Sequence, residues 1–137
     1  MAKQRNHMVL LCFTTIYELI KIILIQVANM ARQITIDAVR AFNNNYRFKR
    51  SNTEVRIIGD YEQTELRLHG NLIAYKNNTG TYLSTCGWHT VTTKERLNGL
   101  HGVHIEQKNY IWYLNGNEWN GQTVKLEDWG LFTPITN

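Results

Sequence analysis

The chain has 137 residues, which is enough for one domain of ordinary size and too few for two. A hydrophobic content of 43%, a charged content of 19% and a single proline exclude an intrinsically disordered chain. The formal net charge of +4 is modest for this length, so an electrostatic argument for a nucleic-acid partner depends on where the charges lie.

The N-terminal segment from Met8 to Ala28 is mostly apolar, and its length is that of a membrane span. Four interpretations stay open: a secretory signal, a membrane anchor or interfacial helix, a buried packing helix, and an upstream extension that the working protein does not carry. The fourth arises because Met30-Ala31-Arg32-Gln33 nearly repeats the first four residues. We expect residues 1–29 to form an apolar helical leader and residues 30–137 to form a single small domain.

The domain is expected to begin with a short helix. Thr35 is placed to cap a helix from Ile36 to Asn43, in which Ile36, Val39 and Phe42 recur at helical spacing. A second short helix is expected after Thr92, which with Glu95 matches a capping box and is followed by Gly99 at the helix end.

Between and after these helices the sequence alternates polar and apolar residues and is interrupted by turn signals such as Gly70-Asn71 and Lys108-Asn109. The expected strands are Tyr46 to Lys49, Glu54 to Ile58, Thr64 to His69, Leu72 to Lys76, Tyr82 to Cys86, Val103 to Gln107 and Tyr110 to Leu114. The pattern predicts an α+β domain: an antiparallel β meander with two short helices, preceded by an apolar N-terminal helix.

Basic residues are concentrated near the front of the domain. From Arg32 to Arg56 the chain carries a net charge of +4, whereas the part from Ile57 onward carries −2. On a strand, Arg47 and Lys49 share one face, which is either an ordinary solvated face or an edge that follows a phosphate backbone. The candidate nucleic-acid-binding residues are Arg47, Lys49, Arg50, Arg56, Lys94 and Arg96.

Aromatic residues offer a second kind of interaction surface. Trp88, Trp112 and Trp119 are candidates for partner binding or base stacking. The run from Tyr110 to Leu114 has apolar residues on both faces of one strand, so at least one of these faces belongs to the core.

Cysteine and histidine residues give one pattern that resembles a metal site. Cys86 with His89 and His101 with His104 form two pairs with the spacing of tetrahedral zinc ligands. The alternative is a buried cysteine with three unrelated histidines. The sequence contains no nucleophile elbow, phosphate-binding loop or dinucleotide fingerprint, so we expect a non-enzymatic protein without a cofactor.

Several runs in the domain resemble a small domain of unknown function found in tailed bacteriophages, over about Met30 to Gly121. The runs are Phe48-Lys49-Arg50-Ser51-Asn52-Thr53-Glu54-Val55, Leu68-His69-Gly70-Asn71-Leu72-Ile73-Ala74, Cys86-Gly87-Trp88, Thr92-Thr93-Lys94-Glu95-Arg96-Leu97-Asn98-Gly99-Leu100 and Trp112-Tyr113-Leu114-Asn115-Gly116 with Trp119. The resemblance implies a phage accessory protein that acts in the host cytoplasm, and it supplies no activity. It also implies that members begin near Met30.

These observations predict a phage protein that binds a macromolecule. Nucleic-acid binding through the basic strand is the specific hypothesis, and a protein that inhibits or modulates a host or anti-phage defence factor is the alternative. A zinc-binding protein is a further alternative. Membrane association is expected only if residues 8–28 are expressed and exposed.

Overall fold

A computed structural model describes residues 2–130 of the chain, with side chains from residue 15 onward. The chain is divided into two compact units, Met1–Gln33 and Ile34–Asn137. The first helix, α1 (Ala2–Asn43), begins in the first unit and ends in the second.

In the first unit, the side chains of residues 15–30 are all exposed, including large apolar ones such as Ile16, Leu24 and Ile25. Exposed apolar residues occur on every side of this helical segment rather than along one stripe. By length and composition, Thr15–Asn43 contains a stretch that could cross a membrane, with a mean hydropathy of 1.4.

The second unit has an α+β fold with two antiparallel sheets. The larger sheet has the strand order β1-β2-β3-β4-β5-β9, and the smaller sheet has the order β6-β7-β8. The strands are β1 (Phe48–Arg50), β2 (Thr53–Ile58), β3 (Gln63–Leu68), β4 (Asn71–Asn77), β5 (Gly80–Leu83), β6 (Ile105–Lys108), β7 (Ile111–Leu114), β8 (Asn117–Glu118) and β9 (Val124–Lys125), and the short helices are α2 (Val91–Asn98) and α3 (Leu126–Trp129).

One hydrophobic core joins these elements. The end of α1 contributes Ala38, Ala41 and Phe42, which are at most 2% exposed. The larger sheet contributes alternate residues such as Val55 and Leu66, which lie opposite each other in neighbouring strands. Other core residues come from α2, the smaller sheet and α3, namely Leu97, Ile105, Trp112, Leu114 and Leu126. The core therefore lies on one face of the larger sheet.

Two predicted helix starts were wrong. Thr35 does not cap a helix, because α1 continues through it and the Thr35 hydroxyl accepts a hydrogen bond from Arg96 instead. The second short helix begins at Val91 rather than after Thr92, since the Thr90 side chain accepts the Thr93 N–H at 3.1 Å. Thr92 and Glu95 have the spacing of a capping box, but both residues lie inside α2, whose cap is Thr90.

The predicted hairpins are present, each with its turn shifted by one residue. The β3–β4 turn is His69-Gly70 and the β6–β7 turn is Asn109-Tyr110, and all four residues have positive φ. Two-residue turns of this kind need left-handed backbone at both positions. The first predicted strand begins late because the Tyr46 N–H donates to the Ala41 carbonyl at the end of α1.

Candidate functional site

The basic strand residues are exposed, but carboxylates neutralise most of them. The register of β1 and β2 places Lys49 opposite Glu54, and the Lys49 Nζ is 3.8 Å from the Glu54 carboxylate. Arg56 also donates to Glu54, and Arg50 donates to Asp37 of α1 at 2.8 Å.

A hydrogen bond from Arg56 lowers the pKa of the Glu54 carboxyl, and the nearby Arg56 and Lys49 charges lower it further. Glu54 is therefore ionised at neutral pH and offsets part of the positive charge around it. Among the described residues, Arg47, which lies just before β1, forms no hydrogen bond or ion pair and is the basic residue left for a ligand.

The prediction that Arg96 contacts nucleic acid was wrong, because this residue is 3% exposed. Its guanidinium donates to the Thr53 hydroxyl at 3.0 Å and to the Thr35 hydroxyl at 2.6 Å, and so ties α2 to β2 and α1. Burial lowers the pKa of Arg96, and the Glu95 charge partly opposes this shift. Lys94, on the same helix, is half-exposed.

Two of the three candidate tryptophans are also buried. Trp112 is 5% exposed and Trp119 is 2% exposed, so neither presents a ring for partner binding as predicted. The Trp119 indole N–H donates to the Gln122 carbonyl at 2.9 Å, and the His89 ring meets Trp112 edge to face. Trp88 is 58% exposed and is the candidate that remains.

Three of the four candidate zinc ligands have separate partners, and the fourth, His101, is exposed. The Cys86 thiol lies 2.7 Å from the Leu72 carbonyl, and His89 Nε2 lies 3.0 Å from the Asn120 carbonyl. His104 Nε2 is 3.8 Å from Glu106, and His101 is exposed. Within residues 15–130, where side chains are described, no group of three or more histidine, cysteine, aspartate or glutamate side chains could hold a metal ion. The geometry gives the zinc interpretation no support.

Trp88 forms one wall of a cleft that sequence reasoning missed. The cleft has a volume of about 410 Å³ and lies between the β3–β4 hairpin and the segment that leads into α2. Its floor includes the buried side chains Leu68, Ile73, Thr85 and Thr93. His69, Asn71, Thr90 and Thr92 complete the lining. These residues come from two stretches of the chain, 68–73 and 85–93, which only the fold brings together, so no local pattern could have identified the cleft.

Three of the four threonine hydroxyls in this cleft, those of Thr85, Thr90 and Thr93, form hydrogen bonds inside the protein. Thr90 and Thr93 share a hydrogen bond of 2.9 Å, and the Thr85 hydroxyl donates to the Gly121 carbonyl at 3.4 Å. The buried Thr85 and Thr93 hydroxyls therefore have hydrogen-bond partners without a ligand, and the surface that lines the cleft is mostly apolar. A cleft with this lining can accept an apolar group, while the polar residues at the rim can orient what is attached to it.

Comparisons with known proteins place the second unit in a phage setting. The sequence model of a phage protein family, described as Kyanoviridae Gp96 protein, matches residues 31–130, which is more than half of the chain. Neither the curated proteins nor the solved structures contain a match.

Proposed function

Because the chain belongs to the Kyanoviridae Gp96 protein family of phages, we propose that it is a non-enzymatic phage protein that binds another protein in the cytoplasm of the infected bacterium. The observation that carries this proposal is the cleft of about 410 Å³ beside the half-exposed ring of Trp88. Its occupant would be an apolar side chain of the partner, with the neighbouring partner backbone held at the rim.

The surroundings of Trp88 support this assignment. Val91, three residues further along the chain, is 76% exposed and enlarges the apolar surface next to the cleft. Tryptophan residues beside a preformed pocket frequently dominate the energetics of protein interfaces, and truncating one typically weakens binding by about 2 kcal/mol, roughly 30-fold in Kd. A host protein, including a defence factor, is the expected partner.

A direct test uses a small mimic of the partner side chain. N-acetylphenylalaninamide is titrated into ¹⁵N-labelled protein, and shifts are expected at the Trp88 indole and at the amides of Ile73 and Thr92. The variant Trp88→Ala should lose these shifts. Tyr110→Ala is the matched control, because Tyr110 is 95% exposed and does not line this cleft.

The partner itself is then identified by capture from infected cells with the wild type and both variants. The proposal requires a protein that is retained by the wild type and Tyr110→Ala and lost with Trp88→Ala, and whose purified form binds with a Kd at least tenfold weaker for Trp88→Ala. Equal retention of the same proteins by all three chains would contradict it.

Nucleic-acid binding through the basic strand is a second candidate. It is favoured by the exposure of Lys49, Arg50 and Arg56 on two neighbouring strands, with Arg47 exposed just before the first, and by the absence of a partner for Arg47 within the described residues. Replacing Arg47, Lys49 and Arg50 by alanine should abolish retention on DNA or RNA, and retention by the wild type should fall steeply with salt. Glu54→Gln should have the opposite effect, because it frees Lys49 and Arg56. No retention of the wild type at low salt would exclude this candidate.

A further inference from the structure

The N-terminal part of α1 presents its apolar side chains to the outside of the protein. Between residues 15 and 30 no side chain is buried, and Ile16, Leu24 and Val27 are 48%, 63% and 58% exposed. A helix that packs on a soluble domain buries one apolar stripe and exposes a polar face. Residues 15–30 therefore form a largely apolar helix surface that no described part of the chain covers.

The distribution of these residues identifies what can cover them. Because successive residues of an α-helix are about 100° apart around its axis, Ile16 and Ile25 point in opposite directions, about 180° apart. Leu24 and Ile22 lie about 80° and 240° from Ile16, so apolar side chains point to every side. A protein partner packs along one side of a helix, whereas a lipid bilayer surrounds it, so this pattern favours lipid.

The length and hydropathy of the segment agree with a bilayer. Met8 to Ala28 is a run of 21 residues inside α1, and as a helix it is about 31 Å long, which matches the hydrocarbon core of a membrane. The stretch from Thr15 to Asn43 contains a window with a mean hydropathy of 1.4, of which 6% is buried. A core helix of similar composition would be mostly buried.

The two charged residues of this segment neutralise each other. Glu18 is its central residue, and the Lys21 Nζ lies 3.8 Å from the Glu18 carboxylate. The same ammonium lies 4.5 Å from the centre of the Tyr17 ring. Ionisable side chains within membrane spans are usually paired with one another, because the pair presents less charge to the lipid than either group alone. The segment thus carries no net charge.

The segment also differs from a cleavable secretory signal. Such a signal ends at a cleavage site where two small residues are separated by one position, and no such pair occurs between residues 22 and 41. Furthermore, α1 continues without a break to Asn43, so no extended stretch follows the apolar residues. These features indicate a helix that is retained.

We propose that α1 anchors the protein in a lipid bilayer as a single transmembrane helix over Met8 to Ala28, with the second unit on the cytoplasmic side. Lysine and arginine are concentrated on the cytoplasmic side of membrane spans. Residues 1–7 contain Lys3 and Arg5, whereas residues 29–50 contain Arg32, Arg40, Arg47, Lys49 and Arg50. The anchor shares no residue with the Trp88 cleft, so either proposal can fail without the other.

Membrane flotation followed by alkaline carbonate extraction tests the anchor. The full chain, expressed in bacteria, should float with the membranes, resist extraction and keep the mass of the uncleaved chain. A double variant with Ile20→Lys and Ile23→Lys adds two charges inside the segment and should lower the membrane-to-soluble ratio at least tenfold. The matched control, with Ile36→Lys and Ile58→Lys, adds the same charges at exposed isoleucines of the second unit and should remain in the membrane.

The thiol of Cys86 reports the orientation. With Cys12→Ser, Cys86 is the only thiol of the chain, and it is exposed. A membrane-impermeant maleimide should leave it unlabelled in intact spheroplasts and label it after lysis in urea. Labelling in intact spheroplasts would overturn the orientation. Extraction of the wild type by carbonate, equal partition of the two double variants, or a chain shortened by cleavage would overturn the anchor itself.

Discussion

Arg96 shows how a single residue can be misassigned from sequence. A basic residue on a short helix is normally exposed, and nothing local indicates that this one is buried. Its position becomes clear only when α1, β2 and α2 are assembled, since the hydroxyls of Thr35 and Thr53 come from two of these elements. The same applies to Trp112, because a strand with apolar residues on both faces does not reveal which face is covered.

Replacing Arg96 should destabilise the domain. Arg96→Met removes two hydrogen bonds from a charged donor and leaves the Thr35 and Thr53 hydroxyls without that partner. We expect the free energy of unfolding to fall by about 3 kcal/mol, measured by urea denaturation. Arg47→Met is the control: Arg47 is exposed, and the change should stay within about 0.5 kcal/mol. Equal stability of the two variants would contradict the structural role of Arg96.

Glu54 should titrate below its ordinary range. The Arg56 hydrogen bond favours the charged carboxylate, so the folded pKa lies below the model-compound value of 4.5. The stabilising contribution of such an acid is complete above its unfolded pKa and is lost as the pH falls through the folded pKa. A carboxyl ¹³C titration should give a midpoint below 4.5 for the wild type, and Arg56→Met should raise it. A wild-type midpoint at or above that value would contradict the pairing.

At the scale of elements, the sequence predicted most strands and both hairpins to within one or two residues. The alternation of polar and apolar residues in strands and the residues that favour positive φ in turns are local signals. They therefore predict strands and hairpins that are also present in the folded domain. Helix starts were less predictable. Thr92 and Thr90 are both competent caps, and the choice depends on how the chain approaches α2 from β5. The Trp88 cleft was not predictable, because its lining residues at 68–73 and 85–93 are brought together only when the β3–β4 hairpin packs against the start of α2.

Asn115 holds the smaller sheet to its neighbours. Its side-chain carbonyl accepts the His104 N–H at 2.7 Å, and its amide donates to the carbonyls of Gly102 at 3.0 Å and Gly130 at 2.6 Å. Its φ is 50°, so Asn115→Gly keeps the backbone conformation and removes only the side-chain bonds. We expect a loss of about 2 kcal/mol in the free energy of unfolding.

Two companion variants make the Asn115 prediction specific. Asn115→Ala should cost about 1 kcal/mol more than Asn115→Gly, because alanine resists the left-handed backbone. Asn109→Gly is the matched control at a φ of 51°, since the Asn109 side chain forms no hydrogen bond with the described residues. Thermal unfolding should show little change for Asn109→Gly. A comparable loss in that variant would mean that the turn backbone, rather than the Asn115 side chain, sets the stability.

At the scale of the whole molecule, three boundaries lie close together. The family match begins at residue 31, the second compact unit begins at Ile34, and Ala38 is the first fully buried residue among the α1 side chains that the structure describes, from residue 15 onward. The core is built from residues after this boundary, so the second unit contains the contacts that it needs for folding. A membrane partner for the preceding helix remains a proposal, supported by its exposed apolar side chains.

The two units should separate experimentally at this boundary. A fragment of residues 30–137 should unfold cooperatively and remain in the supernatant when mixed with lipid vesicles, because the apolar segment from Met8 to Ala28 has been removed. That segment has 21 residues, and as a helix it is about 31 Å long, close to the thickness of a bilayer core. The full chain should therefore sediment with vesicles.

The salt dependence of this cosedimentation identifies its cause. Cosedimentation that persists at high salt would indicate apolar insertion, whereas release by salt would assign the attraction to the basic residues after Arg32. A fragment of residues 30–137 that does not fold, or a full chain that stays in the supernatant with the vesicles, would contradict the corresponding half of this prediction.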